Sequence, residues 1–267
     1  MIIDKTWRVL TIGDGDLSFS ASLLTHHTPA ALTATVLDTR DTLLGKYAHN
    51  DYQTLLQQDC PVLCSFDITD PSSWSQLAMH SFDLVIFQFP LIPAFKSHDE
   101  FKEKCKEVHI NTLNRQLLRT FLIHSFKHFL DPNGARLCYI TSKDVKPYKE
   151  WNIENALNMR TEIDYLGWHN FDINLFPGYK VRNVDRDKHV KDTKGITYVW
   201  SDNKQHSLKA QLNAALYQDA NSCSLCATGP YNSEEEKQKH FATKKHLNML
   251  NYEAMWELLL DRESEQA

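Results

Sequence analysis

The feature that most constrains the fold is a short apolar run that ends in a glycine-containing turn and continues into a helical pattern. Residues 7–12 are apolar, Gly13-Asp14-Gly15-Asp16 follows them, and residues 17–24 have the pattern of a helix. Strand, glycine turn and helix occur in this order in nucleotide-binding crossovers, where the glycines allow a tight turn and close approach of the backbone to a ligand. The sequence therefore predicts an α/β fold that begins with a ligand-binding turn.

Apolar runs and helical segments continue to alternate over the next 180 or so residues, which predicts a doubly wound, Rossmann-like sheet. Five strands are predicted at 7–12, 32–37, 61–66, 82–89 and 135–141, with helices at 17–24, 41–57 and 111–130. Two later runs, 168–175 and 195–200, are predicted to form an antiparallel pair of strands. Because ligands bind beyond the carboxyl ends of parallel strands, the residues that end these strands are the candidates for a site.

Two such residues indicate the kind of ligand. Asp38 ends the second strand 25 residues beyond Gly13, where an acid can accept both hydroxyls of a ribose, and Asp67 ends the third strand. Leu17 and Ser18 stand where a dinucleotide-binding motif would have its further glycine, and the absence of that glycine disfavours NAD as the ligand. S-adenosylmethionine contains no pyrophosphate, so it does not require that glycine. Capping of the following helix is an equally good interpretation of Asp14 and Asp16.

The stretch Leu10-Thr11-Ile12-Gly13-Asp14-Gly15-Asp16-Leu17-Ser18-Phe19-Ser20 resembles the opening signature of a known family. This is the eukaryotic large-subunit ribosomal-RNA uridine-N3 methyltransferase-like domain, a class I S-adenosylmethionine-dependent fold. The resemblance covers residues 7 to about 185. Further matches follow in the family's order at 66–69, 82–90, 114–118, 141–143, 147–153 and 176–179.

The chain departs from the family's pattern in two loops. Gln88-Phe89-Pro90-Leu91 stands where the family tends to have Asn-Phe-Pro-His, and Val181-Arg182-Asn183 stands where it has His-Arg-Arg. These loops build the substrate pocket, so the departures concern the uridine specificity and leave the expected fold and cofactor unchanged.

The resemblance implies roles for individual residues. Gly13 to Asp16, with Ser18, would hold the methionine part of the cofactor, Asp38 its ribose and Asp67 its adenine, and Gln88 would lie between cofactor and target base. Catalysis is assigned to Gln88, Pro90, Lys143 and Tyr148, of which the last two are candidates to accept or stabilise the uridine N3 proton. Contacts to RNA are assigned to Phe89, Trp151, Tyr179, Lys180, Arg182, Lys244 and Lys245.

A second constellation lies near the end of the sequence. Cys223 and Cys226 are followed by His240 and His246, a spacing that suits a two-Cys, two-His zinc site. The histidine spacing resembles that of matrin-type fingers, which often contact RNA. The alternative is a zinc ion that only folds a segment too small for a core of its own. Residues 247–260 continue as an amphipathic helix with Leu247, Leu250, Ala254 and Leu258 on one face, expected to pack on the main domain.

Composition bounds the remaining possibilities. The formal net charge of −5 argues against a uniformly basic RNA-coating protein, although 179–194 is locally basic. The longest uncharged apolar stretch, 84–95, is too short for a bilayer, and the first residues lack the pattern of a signal peptide. We therefore expect a soluble, monomeric protein with no membrane partner, cytoplasmic or, in a eukaryote, nucleolar. A polar segment at 219–222 predicts two domains, 1–218 and 219–267.

The sequence as a whole predicts an S-adenosylmethionine-dependent RNA methyltransferase that acts on a base, most specifically a uridine nitrogen of ribosomal RNA, with a zinc finger that helps to dock the RNA. One alternative is a zinc-containing RNA-binding or assembly protein that keeps the fold without catalysis. Another is a methyltransferase acting on a different base or on a small molecule.

Overall fold

The architecture was taken from a computed structural model, which describes residues 1–93, 95–106, 108–183, 186–189 and 194–266. The strands are β1 (Arg8–Ile12), β2 (Ala31–Thr35), β3 (Val62–Leu63), β4 (Leu84–Gln88), β5 (Leu137–Lys143), β6 (Asp164–Phe171), β7 (Arg182–Asn183), β8 (Arg186–His189) and β9 (Gly195–Ser201). The helices are α1 (Ser18–His27), α2 (Arg40–Lys46), α3 (Tyr52–Gln57), α4 (His98–Lys104), α5 (Ile110–His124), α6 (Ile153–Ala156), α7 (Glu234–Phe241) and α8 (Lys244–Gln266).

Seven strands form one sheet in the order β3-β2-β1-β4-β5-β9-β6. The first five are parallel to one another, and β9 is antiparallel to both β5 and β6. This confirms the predicted doubly wound α/β sheet and its antiparallel pair. Because neighbouring residues of a strand point to opposite faces, β1 supplies Val9 to the core on one side of the sheet and Leu10 to the core on the other.

Several predicted boundaries were wrong. The helix predicted at 41–57 is two helices, because the chain turns inward at Tyr47, which is 1% exposed, and α2 ends there. The third strand is only two residues long, and β6 begins four residues before the run predicted at 168–175. The helix predicted at 111–130 ends in a π-helical turn, Ser125–Phe129.

The C-terminal helix α8 corrects a predicted helix face. It packs on the main domain, as expected, but Leu247, Leu250 and Leu258 are exposed, and the buried side chains are Met249, Trp256 and Leu260. The leucine spacing alone was misleading because Trp256 offers a larger apolar surface and its Nε1 donates to Ala156 O at 3.0 Å.

Buried arginines of α5 join α8 to the main domain. Arg115, 1% exposed, donates to Glu253 of α8 at 2.8 Å, and its guanidinium lies 5.3 Å from the ring of Trp256. Arg119 donates to Glu263 at 3.0 Å. The helix that carries His246 is thus attached to the main sheet domain through the buried arginines of α5. In the described part of the chain, no helix combines the length and the apolar character needed to span a bilayer.

Candidate active site

The turn after β1 is held against the neighbouring strand β2. Asp14 N–H donates to Thr35 O at 2.9 Å, and Gly13 N–H donates to Thr35 Oγ1 at 3.2 Å. Gly13 has a φ of +62°, and a Cβ there would lie 3.1 Å from the ring of Phe87. Glycine at this position is therefore required by both the backbone conformation and the close approach of β4.

The two aspartates of the turn bind the first turn of α1. Asp14 Oδ2 accepts from Ser20 N–H at 2.6 Å, while Asp16 Oδ1 accepts from the N–H and hydroxyl of Ser18 at 3.1 and 2.6 Å. These bonds match the helix-capping interpretation. Burial, reinforced by the charge of Asp16, raises the pKa of Asp14 to about 7, although its hydrogen bond with Ser20 opposes that shift.

A cavity of about 130 Å³ opens beside this turn, at the carboxyl ends of β1, β2 and β4. It collects most of the residues predicted to bind cofactor and base, which come from four separate parts of the sequence. These are Gly13, Asp14, Gly15, Asp16, Asp38, Gln88, Phe89, Pro90, Tyr179, Lys180 and Arg182. Two residues that the sequence analysis missed, Lys46 and Tyr47, line it as well.

Both missed residues follow from the inward turn after α2. Lys46 Nζ donates to Asp38 Oδ2 at 3.0 Å and lies 5.2 Å from the centre of the Tyr47 ring. The Tyr47 hydroxyl lies 3.2 Å from the position that a Cβ on Gly15 would take. The ribose candidate Asp38 is therefore held by a lysine of the same loop, a contact that no sequence motif signalled.

The remaining two cofactor candidates lie just outside this cavity. Asp67 lines a neighbouring cavity of about 740 Å³, which shares Gly13, Leu37 and Phe87 with the first. Its Oδ1 accepts from the N–H and hydroxyl of Thr69 at 2.8 and 2.7 Å. Ser18 is buried against Asp16, and its hydroxyl accepts from Lys180 N–H at 3.2 Å.

The segment 176–182 covers the turn from the opposite side. Arg182 Nε donates to Asp16 Oδ2 at 2.6 Å, and the guanidinium lies 5.9 Å from the centre of the Tyr47 ring. Arg182 was predicted to contact an RNA phosphate, and in this structure its charge faces Asp16. The rest of the predicted basic segment includes Lys191, which lies outside the described residues, and the side chains of Arg186 and Lys188, which the structure does not describe.

The loop after β4 presents an unsatisfied amide. Gln88 is 8% exposed, and neither its side-chain oxygen nor its nitrogen has a hydrogen-bond partner within the described part of the chain. Phe89 follows with a φ of +49°, and its ring meets that of Phe171 edge to face at 5.5 Å. An amide carries both a donor and an acceptor, so Gln88 can bind the edge of a base.

The other predicted catalytic residues, Lys143 and Tyr148, do not line this cavity. Lys143, at the end of β5, has its Nζ 5.6 Å from the centre of the Tyr148 ring. Burial lowers the pKa of Lys143 and raises that of Tyr148. The predicted RNA contact of Trp151 was wrong: its side chain is 1% exposed and its Nε1 donates to Asn111, so no ring face is available to a base.

The four predicted metal ligands converge. One donor atom from each of Cys223, Cys226, His240 and His246 lies within 4.8 Å of the others. His246 Nδ1 is 3.6 and 3.5 Å from the two sulfurs, and the buried His240 Nε2 has no hydrogen-bond partner among the residues described. Two thiolates and two imidazoles at these separations fit a tetrahedral Zn²⁺. Beside them, Lys245 Nζ donates to Cys226 O at 3.0 Å, and Lys244 is exposed.

With this geometry established, the sequence was compared with known families. The family described as "rRNA (uridine-N3-)-methyltransferase BTM5-like" matches residues 10–183, about two thirds of the chain. The protein belongs to this BMT5-like family. The match includes the glycine turn, the Gln88 loop and the segment carrying Tyr179, and it ends before the zinc-finger segment.

Two plant proteins are similar over about two thirds of the chain. The Arabidopsis thaliana "Uncharacterized protein At4g26485" is 28% identical over 178 residues, which are 66% of this chain and 81% of that protein. The A. thaliana "Heavy metal-associated isoprenylated plant protein 41" is 29% identical over 67% of this chain, but the match spans only 33% of that protein.

Solved structures of methyltransferases are similar at low identity. A methyltransferase from Pyrococcus furiosus is 12% identical with a TM-score of 0.44, covering 76% of this chain and 78% of that one. The B. subtilis tRNA methyltransferase TrmK is 7% identical with a TM-score of 0.45, covering 96% and 92%. At these values no substrate or residue role is transferred. Membership of the BMT5-like family confirms the predicted enzyme class, an S-adenosylmethionine-dependent RNA methyltransferase.

Proposed function

We propose that this protein methylates N3 of a uridine in ribosomal RNA, using the cavity at the carboxyl ends of β1, β2 and β4. The observation that carries the proposal is that one cavity joins the glycine turn and Asp38 to the Gln88-Phe89-Pro90 loop. A cofactor held by the turn and a base held by the loop would then meet inside the same space, and such alignment supplies much of the rate of a displacement reaction.

The residues that would hold S-adenosylmethionine come from two connected cavities. The turn Gly13 to Asp16 would take the methionine part, Asp38 the ribose and Asp67 the adenine, with Gly13, Leu37 and Phe87 common to both spaces. The site fits this group because the glycines of the turn let a ligand approach the backbone closely, and Asp38 lines the same cavity, where its carboxylate can accept from ribose hydroxyls. When bound, the cofactor supplies the electrophilic methyl group.

The base would be held by Gln88 and Phe89. The free donor and acceptor of the Gln88 amide match a uracil edge, and Tyr179 offers a further ring beside Phe89. The proton on uridine N3 must leave during the transfer. Lys143 is our candidate to accept it, because it ends β5, whose Thr141 pairs with Gln88, and because burial lowers its pKa, the direction that a proton acceptor requires. Tyr148, under its Nζ, would position it.

We also propose that Zn²⁺ is a structural ion of the C-terminal segment. The segment buries few apolar side chains of its own, chiefly Met249 beside Cys223 and Cys226, so the metal would supply the missing stability. With Lys244 exposed near the site, the finger would help to dock RNA. A monomeric state and a cytoplasmic or nucleolar location stay predictions from the sequence.

The test is to incubate the protein with isotope-labelled S-adenosylmethionine and ribosomal RNA, then to identify the labelled nucleosides by mass spectrometry. We expect 3-methyluridine. Label in a different nucleoside would overturn the uridine assignment. Activity on free nucleosides would favour a small-molecule substrate. The absence of label in any RNA would overturn the proposal that the protein is an RNA methyltransferase.

A second candidate, an assembly protein without catalysis, is favoured by two observations. Arg182 and Asp16 form an ion pair at the mouth of the turn, and Gln88 and Leu91 replace the family's residues in the substrate loop. Cofactor binding without turnover, together with RNA affinity that is unchanged in Asp38→Ala, would support this candidate.

A further inference from the structure

A third cavity, of about 170 Å³, lies between the antiparallel edge of the sheet and the zinc-finger segment. Its walls come from three places: the loop that follows β5, the outer strands β6 and β9, and the segment that enters the finger. The loop contributes Tyr148 and Asn152, the two strands contribute Trp168 and Tyr198, and the segment that enters the finger contributes Tyr217 and Ser224. Neither the cofactor nor the target base of the proposed reaction occupies it.

Aromatic rings form one wall. Trp168 and Tyr198 are direct partners across β6 and β9, so their side chains stand on the same face of the sheet. Trp168 is held in place because its Nε1 donates to Ala214 O at 2.9 Å. Tyr198 also packs on Trp200 at 6.1 Å. A pair of oriented, half-exposed rings on the last two strands of the sheet offers a surface on which a flat ligand can stack.

Polar groups without partners surround these rings. Within the described residues, neither the Tyr198 hydroxyl, the Asn170 amide nor the Ser224 hydroxyl forms a hydrogen bond with another side chain or backbone group. These groups provide both donors and acceptors, which is what the edge of a nucleobase requires.

The charge of the cavity favours a neutral base over a charged ligand. The lining acids Asp144 and Glu154 would repel a phosphate. They do not repel a neutral base, and both already have partners: Lys149 at 2.8 Å from Asp144, and the Tyr165 hydroxyl at 3.0 Å from Glu154.

The cavity also adjoins the candidate active site. Asn170 and Ile196 line it, and the next pair along the two strands is Phe171 and Gly195. A Cβ on Gly195 would lie 3.1 Å from the Phe89 ring. On the other side, Tyr148 both lines the cavity and lies under Lys143. An RNA strand with its target base at Phe89 could reach the cavity across the carboxyl end of β5.

From this placement we propose that the third cavity binds an unpaired nucleobase of the RNA strand next to the target, stacked on Trp168 and Tyr198. The inference rests on the proposed function, since it requires an RNA substrate. It also assigns a task to the finger: because Ser224 and Ala227 complete the wall, the zinc-finger segment would close the base-binding cavity in addition to contacting phosphates.

Binding of a fluorescein-labelled oligouridine of 12 nucleotides, followed by anisotropy, tests the proposal. Trp168→Ala removes a stacking surface, and Ser224→Phe fills the cavity while leaving both rings in place. We expect each to weaken binding by about tenfold, the effect of losing one base–aromatic stack. Trp7→Ala is the matched control, because Trp7 lies at the amino end of β1 and does not line the cavity; the oligouridine affinity of this variant should equal that of wild type.

Two further measurements separate the possible outcomes. Zinc content and S-adenosylmethionine affinity must match wild type in both variants, so that a loss of RNA binding reports on the cavity. Equal oligouridine affinities in wild type, Trp168→Ala and Ser224→Phe overturn the cavity proposal while leaving methylation intact. Cavity-dependent oligouridine binding without methylation of any RNA would instead support the cavity and overturn the proposed function.

Discussion

The glycine turn and the zinc-finger segment both bring ligand groups together, but by different means. At the turn, Asp14 and Asp16 are fixed by hydrogen bonds to β2 and α1, inside a sheet with a full core on each face. In the finger, Cys223, Cys226 and Met249 form only a small cluster. The first site is therefore built by the fold before any ligand binds, whereas the second would depend on the proposed zinc ion.

The largest effect expected from this difference is on the finger when its metal ligands change. Cys223→Ser should abolish the binding of one zinc per chain, because structural zinc contributes about 10–16 kcal/mol to such segments. Cys105→Ser, which removes a cysteine outside the finger, is the control. Elemental analysis of the purified proteins measures the stoichiometry. Wild-type zinc content in Cys223→Ser would show that the sulfur is not a ligand.

A smaller effect is expected where α8 joins the two regions. Glu253→Gln leaves the charge of Arg115 buried without its carboxylate, so we expect the free energy of unfolding to fall by about 3 kcal/mol. Arg160→Gln is the matched control, because its pairs with Glu257 and Asp261 are exposed and should contribute less than about 1 kcal/mol. Urea denaturation compares the two. Equal losses would mean that burial of Arg115 does not matter.

At the preformed turn, a substitution should lower the affinity for the cofactor more than it lowers the stability of the fold. We expect Asp38→Ala to lower the affinity for S-adenosylmethionine by about 10–100-fold, which is the range for losing a charged hydrogen bond. The melting temperature should change little. Asp41→Ala is the control: Asp41 lies on the exposed surface of α2, so this variant should bind S-adenosylmethionine with wild-type affinity. Isothermal titration calorimetry measures both affinities. An unchanged affinity in Asp38→Ala would remove Asp38 from the cofactor site.

The last effect depends on pH and concerns the proton on Asp14. Its pKa is raised from 3.8 to about 7 in the folded protein, so between about pH 4 and 7 the folded state keeps a proton that the unfolded state has released. Stability should therefore fall as pH rises through this window, by at most about 1.4 kcal/mol per pH unit. Urea unfolding of wild type and Asp14→Asn at pH 5 and pH 8 measures the difference. Parallel pH profiles would show that Asp14 does not titrate there.

Local patterns were enough to predict the layers of the fold and the composition of the first site. Apolar runs that end in Gly13, Asp38 and Gln88 meet at one edge because parallel strands share the direction of their carboxyl ends. The four candidate metal ligands, which the structure brings within 4.8 Å of one another, were likewise recognisable from their spacing. In both cases the relevant distances are short along the chain or are imposed by regular sheet geometry.

Only the tertiary structure decided how distant side chains pair. Lys46 beside Asp38, Arg182 against Asp16, and Arg115 under Trp256 depend on turns and packing that no local period encodes. For the same reason the leucines of α8 predicted the wrong buried face, and Trp151 was assigned to RNA although it lies in the core. By itself the sequence determined which chemistry each strand end carries; the packing of segments far apart in sequence determined which of those groups meet.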